Sequence, residues 1–393
     1  MTVPYTWQWR PNWSAGVTER LEWRTDVQVG YGAAETRFAL RNVPRRTWSW
    51  EMLITDNERQ RFETQVWSRQ HEPWLVPLWW DVSRANMTVG DSYWDGPLPE
   101  TSRELPTGQY LVFMDREGAI GKGPVSRSTV LIGSNFVYRY SWTGALSRSM
   151  PGAYVHAARF ARVTIERVGQ VTAGVATYRC TAEATEDEAP PVTAPTSVYG
   201  TLGAYTIRPD RGDAQETTWD LIRERIDYGG AVYIDPQRTA PVTVREHRHL
   251  CDTRAKARVL RGVAQYLRGR YRSAVIPTWN ADLAPLSGIV SAGTTIDIEP
   301  INWTGYLAAA GGRNRVVVIT RGGQYYWATI GSAYIVGDVE TLVMASAWGG
   351  NVALGDIRQV CWADLSRMDS DALEIAWRTP EVAEIAIPWR LLA

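Results

Sequence analysis

Residues 47–54 alternate along the chain. Trp48, Trp50, Met52 and Ile54 are interleaved with Thr47, Ser49, Glu51 and Leu53. A period of two predicts a strand with one buried face. Thr55-Asp56-Asn57-Glu58 follows, with the Thr and Glu spacing of a capping box at a helix start. Phe62 and Val66 lie four apart on one face of that helix, and Pro73 bounds it. The run Val76–Trp80, VPLWW, then predicts a strand.

The same order returns later. Val242 and Val244 lie in a short strand, and Asp252 or Thr253 caps a helix carrying Val259, Leu260, Val263, Ala264 and Leu267. Pro277 sits in the strand after it. Further strands are predicted over Arg315–Thr320, Gln324–Ile330, Glu340–Ala345, Ile357–Asp364 and Ala372–Trp377. The last segment alternates Ala383, Ile385, Ile387, Trp389 and Leu391. Glycine and proline clusters supply the turns. The class is α+β and β-rich: two tandem sandwich-like domains, each with one helix beside a sheet.

Val76-Pro77-Leu78-Trp79 aligns with Ile276-Pro277-Thr278-Trp279 at an offset of 200, and Ala158–Val163 with Val360–Leu365 at about 202. A near-constant offset with matching element order indicates duplication. Residues 184–198 combine an acidic run with Pro190, Pro191 and Pro195 and read as an extended connector. The expected division is a first domain over 1–185, with a loop insertion at 82–105, a linker at 186–198 and a second, similar domain over 199–393.

Composition narrows the functional classes. The chain has 393 residues, with 42 basic against 42 acidic side chains, so a broad electrostatic grip on nucleic acid or anionic membrane is not indicated. No run of 18 apolar residues predicts a membrane span, and the N-terminus lacks the pattern of a secretory signal. Three scattered cysteines, Cys180, Cys251 and Cys361, fit a reducing compartment. There are 20 Trp against 5 Phe, and Lys122 and Lys256 are the only lysines. A GC-rich genome accounts for much of the arginine bias. Arg and Trp are also the residues that anchor protein interfaces.

Few residue patterns along the chain suggest chemistry. Gly118–Gly123, GAIGKG, lacks P-loop spacing and reads as a hairpin turn. His247, His249 and Cys251 fall at i, i+2 and i+4, so on a strand they share a face and could converge on a metal. Against this, no fourth ligand is evident, and Cys251 abuts the helix cap, where the strand should already have ended. Asp297 with Glu299, or Asp91 with Asp95 beside Trp94, are the carboxylate pairs a glycosidase requires, without any further motif. Arg211-Gly212-Asp213 reads as a turn. Trp7, Trp9, Trp13, Trp79 and Trp80 are candidates for a sugar-stacking platform; Trp48, Trp50, Trp377 and Trp389 fall in alternating strands and read as core.

Residues 23–50 pass from a strand through a Gly-containing turn to Glu-x-Arg, an apolar strand, Pro-Arg-Arg and an aromatic strand. Thr25, Gly30, Gly32, Glu35, Arg37, Arg41, Pro44, Arg45 and Arg46 carry this pattern. It resembles the opening of siphophage and gene-transfer-agent tail-tip (distal tail, baseplate) proteins. The C-terminal segment resembles their ends through Arg367, Asp369, Asp371, Glu374 and Trp377. The resemblance covers the first 80 and last 40 residues best. It implies tube-like β-sandwich domains flanked by a helix, and a virion protein assembled in the bacterial cytoplasm as a ring that caps the tail tube. The implied partners are the tail tube protein, the tape measure protein and the baseplate hub or fibre proteins, with no catalysis and no cofactor. Length and duplication set this chain apart from short members of the family.

Three copies of a two-domain chain match a six-fold tube, which predicts a trimer with pseudo-six-fold symmetry; a hexamer is required if one half alone contacts the tube. Glu35, Arg37, Arg41, Arg45 and Arg46 are candidates for inter-subunit salt links, or for a solvated hairpin worth little. A carbohydrate-binding adhesin and, behind it, a cell-wall glycosidase are the competing functions.

Overall fold

The computed structural model of the chain describes residues 5–30, 34–69, 71–96, 108–133, 135–172, 174–195, 197–199, 201–210, 217–220, 223–227, 232–236, 242–308 and 313–392. The first half runs β1 (Val17–Val29), β2 (Glu35–Thr55), α1 (Asp56–Ser68), β3 (Trp74–Met87), β4 (Tyr93–Gly96) and β5 (Tyr110–Met114). It continues through β6 (Ala119–Lys122), β7 (Ser126–Ile132), β8 (Asn135–Ser141), β9 (Met150–Thr172) and β10 (Val175–Ala184). The second half opens with β11 (Ser197–Tyr199), β12 (Leu202–Ala204), β13 (Thr217–Asp220), β14 (Arg223–Asp227), β15 (Val232–Pro236), β16 (Val242–Cys251) and α2 (Arg254–Leu267). Then come β17 (Ser273–Pro277), β18 (Thr295–Ile298), α3 (Trp303–Tyr306), β19 (Arg315–Thr320), β20 (Tyr325–Val336), β21 (Val339–Met344), β22 (Ile357–Met368), β23 (Ala372–Trp377) and β24 (Ala383–Leu391). The class expected from the sequence, α+β and β-rich, is the one observed.

The two halves share one pairing scheme. In the first, β2 pairs β10, β10 pairs β9 and β9 pairs β3, all antiparallel, with α1 between β2 and β3. In the second, β16 pairs β24, β24 pairs β22 and β22 pairs β17, all antiparallel, with α2 between β16 and β17.

The pairing registers can be followed in step from one matched pair. Pro77 lies opposite Ala158, and Pro277 opposite Ala363. Setting these pairs equal makes Arg162 equivalent to Arg367. Their partners on the next strand are Glu183 and Arg390, whose own partners are Thr47 and Val244. Ala158–Val163 therefore corresponds to Ala363–Met368 rather than to Val360–Leu365. The three-residue difference arises because cross-strand register, not local similarity, sets the equivalence. Along the aligned strands Trp48, Trp50, Met52 and Ile54 match Arg245, His247, His249 and Cys251, and all of them are buried.

The halves are continuous. β1 pairs β2 on one side and β23 on the other, from Val17↔Trp377 to Glu22↔Ala372. One sheet thus runs β3–β9–β10–β2–β1–β23–β24–β16–β13. A single apolar core takes Trp7, Trp50 and Trp79 from the first half and Leu260, Ile385 and Trp389 from the second.

Each half carries an insertion at the same place. Between β3 and β9, strands β4, β8 and β7 form a separate three-stranded sheet, while the β5–β6 hairpin joins β9. The segment read as a loop at 82–105 begins inside β3 and includes β4; its residues from 97 on lie outside the described residues. Between β17 and β22, strands β18–β21 and α3 build a second core around Leu283, Ile298, Val316 and Leu342.

Residues 187–195 of the connector form neither helix nor strand, and the connector is docked. Thr193 donates its backbone N–H to the carbonyl of Gly262 on α2 at 3.1 Å. A Cβ on Gly262 would stand 2.2 Å from Thr193 Oγ1, so only glycine admits the connector there. Both helices start where expected. Thr55 is the N-cap of α1 but its side chain makes no capping bond, whereas Thr253 Oγ1 accepts from Lys256 N at 3.4 Å.

Candidate functional site: the joint between the halves

A buried polar cluster lies where the halves meet. Glu19, on β1, is fully buried. Its Oε1 accepts from Arg46 at 2.7 Å and from Arg261, on α2, at 3.0 Å, and its Oε2 accepts from Trp377 Nε1 at 3.3 Å. A buried carboxylate needs such partners, because an isolated charge in a low-dielectric interior is strongly disfavoured. Beside it Trp80 and Trp377 stack with ring centroids 5.4 Å apart and planes 3° apart, and the Arg46 guanidinium lies 5.4 Å over Trp80.

Arginines from α2 and the turn after it complete the joint. Arg254 donates to the carbonyls of Trp80 and Val82 at 3.2 and 3.0 Å. Arg268 donates to Asn42 Oδ1 at 2.8 Å, and Arg270 to the Thr25 carbonyl at 3.1 Å. Trp23 Nε1 donates to Gln265 Oε1 at 3.0 Å. Asp371 Oδ2 accepts from Thr25 N at 2.7 Å. Arg46, Trp80, Trp377, Thr25 and Asp371 were singled out from the sequence in other roles, whereas Glu19, Arg254, Arg261, Gln265, Arg268 and Arg270 were not. The available signal was the seven-residue spacing of Arg254, Arg261 and Arg268, which puts them on one side of a helix.

The expected interface residues divide. Glu35 forms a bidentate pair with Arg367 at 2.8 and 3.0 Å, within the chain. Burial raises the Glu35 carboxyl pKa, but the Arg367 hydrogen bond and charge outweigh it and hold the group below its ordinary range. Arg37 lies 3.9 Å from Glu35. Arg46 is buried against Glu19 and is not available to a neighbouring copy; the reason is that its strand position points into the core, two residues before Trp48. Arg41 donates to the Glu22 carbonyl at 3.2 Å. Arg45 is half exposed and pairs with Glu183 at 3.1 Å.

His247, His249 and Cys251 do share one face of β16, and that strand continues through Cys251, where it was expected already to have ended. The face is the core face. The two histidines line a cavity of about 20 Å³ with Tyr205, Ile207, Leu260, Val263, Ile276, Ile387 and Trp389, a lining with no carboxylate or thiolate. Burial, then the charge of Arg245 and the neighbouring His249, lowers the His247 pKa to about 3. Burial lowers His249 to about 4, and burial raises the Cys251 thiol to about 12. Among the described residues no group of three His, Cys, Asp or Glu side chains could hold a metal ion. The trio takes the places that Trp50, Met52 and Ile54 hold in the first half, as packing side chains.

The sugar-platform residues are also packed inward. Trp7 is fully buried, and Trp9, Trp79, Trp80 and Trp94 are each at most 5% exposed. Trp7, Trp9, Phe62 and Trp74 meet edge to face at 4.8 to 6.2 Å, the arrangement that ring quadrupoles favour. Trp13 packs partly buried against the same core. Trp48, Trp50, Trp377 and Trp389 are core residues, as expected.

Three of the four carboxylates are engaged locally. Asp95 is held by Arg139 through two bonds of 2.8 Å, and Asp91 accepts from Thr88 N at 2.6 Å. Asp297 accepts from Thr341 Oγ1 at 2.7 Å, and Glu299 is exposed. In GAIGKG the hairpin turn spans Asp115–Gly118, closed by Asp115 N to the Gly118 carbonyl at 3.0 Å, and residues 119–122 are strand. Arg211-Gly212-Asp213 lies outside the described residues.

No helix among the described residues is long and apolar enough to cross a membrane. No family model matches the chain, and no curated protein matches it. What the site does chemically is bond one half-sheet to the next through buried charge, stacked indoles and strand pairing.

Proposed function

We propose that this chain is a structural protein of a bacteriophage tail tip that assembles as a closed ring of three. One observation carries the reading. Two units of the same pairing scheme lie side by side in one sheet, in the same left-to-right order. That order is head-to-tail, and a head-to-tail contact repeated between copies generates a ring when the rotation closes. Three chains then present six like units to a six-fold tube. The resemblance of residues 23–50 and of the C-terminal segment to tail-tip proteins supplies the biological setting.

In this reading the tail tube protein contacts one end of the ring, the tape measure protein passes through it, and hub or fibre proteins attach outside. The protein acts by shape and adhesion and is not an enzyme. Averaged images of the purified full chain test the reading. A ring with a central lumen and three-fold symmetry is expected; a stable monomer at high concentration contradicts it.

A further inference from the structure

The first half carries a free sheet edge that the second half does not. β9 pairs β10 over residues 161–172 and β3 over 150–161, so among the described residues 162–172 have a strand on one side only. In the second half the equivalent edge is covered: β23 bonds β24 on one side and β1 on the other.

The opposite edge of the molecule supplies the missing strand. β13 pairs β16 with Thr218↔Val244 and Trp219↔Thr243. β1 pairs β2 with Arg20↔Thr47 and Leu21↔Arg46. Thr47 is equivalent to Val244, so β13 is the second half's version of β1, with Thr218 at the place of Arg20 and Trp219 at that of Leu21. On the other edge, Tyr178 and Ile385 are equivalent, and their partners are Arg167 and Ile375. Glu166 then stands for Glu374, and Ile165 for Leu373.

We infer that β13 of one copy adds antiparallel to the free edge of β9 in the next copy, placing Trp219 opposite Ile165 and Thr218 opposite Glu166. The occupant is a second copy of this chain, because the contact repeats the one already made inside it. There Leu21 faces Leu373, and both are 1% exposed. Their counterparts are unsatisfied in the single chain: Trp219 is 65% exposed, and Ile165 is half-buried at the margin of the core. On the outer face Arg20 bonds Glu374 at 2.9 Å, while Glu166 is exposed and lies 4.0 Å from Arg179 of its own chain. An uncovered edge strand is a template for strand addition, and the exposed tryptophan sits on the strand that would be added.

The inference rests on the association of copies proposed above, and the test separates the two. The full chain carries Thr218→Cys and Glu166→Cys together, with each single variant as control. Directly opposed residues on paired strands have Cβ atoms about 4.5–5.5 Å apart, close enough for a disulfide after small adjustment. Cys180, Cys251 and Cys361 are buried and do not compete. Under mild oxidation the double variant is expected to form chain-to-chain disulfides that neither single variant forms. Trp219→Glu, at an exposed position, is expected to abolish assembly while leaving the far-UV circular dichroism spectrum of the folded chain unchanged.

A covalent series that stops at three supports both the pairing and the ring. A series that runs past three keeps the pairing and overturns the ring of three. A three-chain particle with no disulfide, and with Trp219→Glu still assembling, overturns the pairing and leaves the ring. A chain that stays monomeric overturns both.

Discussion

Glu19 and Arg261 lie 242 positions apart in sequence, yet their side chains meet at 3.0 Å in the core. The contact ties the first strand of one half to the helix of the other, with Arg46 as a second cation on the same carboxylate. Removing the carboxylate leaves two guanidinium groups buried without it. Glu19→Ala is expected to lower stability by about 3–5 kcal/mol, the range for breaking a buried ion pair from one side. Urea unfolding of the variant measures it; a change under about 1 kcal/mol would mean that the joint does not depend on this charge.

Neighbouring arginines on β2 are expected to behave oppositely. Arg46 is 6% exposed and bonded to Glu19, whereas Arg45 and Glu183 are both about half exposed. Arg46→Ala is expected to destabilise by about 3–5 kcal/mol. Arg45→Ala is expected to shift stability by less than about 1 kcal/mol, as exposed pairs do. Equal effects from the two substitutions would contradict the assignment of one to the core and the other to the surface.

His247 and His249 make stability depend on pH in a defined direction. Their folded pKa values, about 3 and about 4, lie below the ordinary 6.5. The unfolded chain therefore takes up protons below pH 6.5 that the folded chain refuses. Stability is fully present above 6.5 and falls as the pH falls, by up to about 1.4 kcal/mol per pH unit for each histidine. The loss from His249 levels off near pH 4 and that from His247 near pH 3. His247→Leu should flatten the slope between pH 6.5 and 5, read from urea midpoints. A chelator should leave the wild-type midpoint unchanged; a fall in that midpoint would restore the metal reading.

Much of the fold was legible because its repeat is local. Alternation marked β2, β23 and β24, and Pro77 and Pro277 fall on β3 and β17, which follow the helix in each half. The offset of the β9 and β22 segments came out three residues short, because bulges and insertions shift register without leaving a local trace. The shared face of His247, His249 and Cys251 was readable from a period of two. What packs on that face was not: Leu260, Val263 and Trp389 arrive from a helix and a strand that only the tertiary fold places there. The β1–β23 pairing joins residues 360 positions apart, Val17 and Trp377, and no local pattern encodes it. The tryptophan surplus looked like a binding surface in composition and is mostly core and joint in three dimensions.

The mass of the particle formed by the purified full chain tests the central claim most directly. Native mass spectrometry is expected to give one dominant species at three times the 44.1 kDa chain mass. A chain that remains at 44.1 kDa at high concentration, or an open series with no preferred size, would contradict a closed ring built from two repeated units.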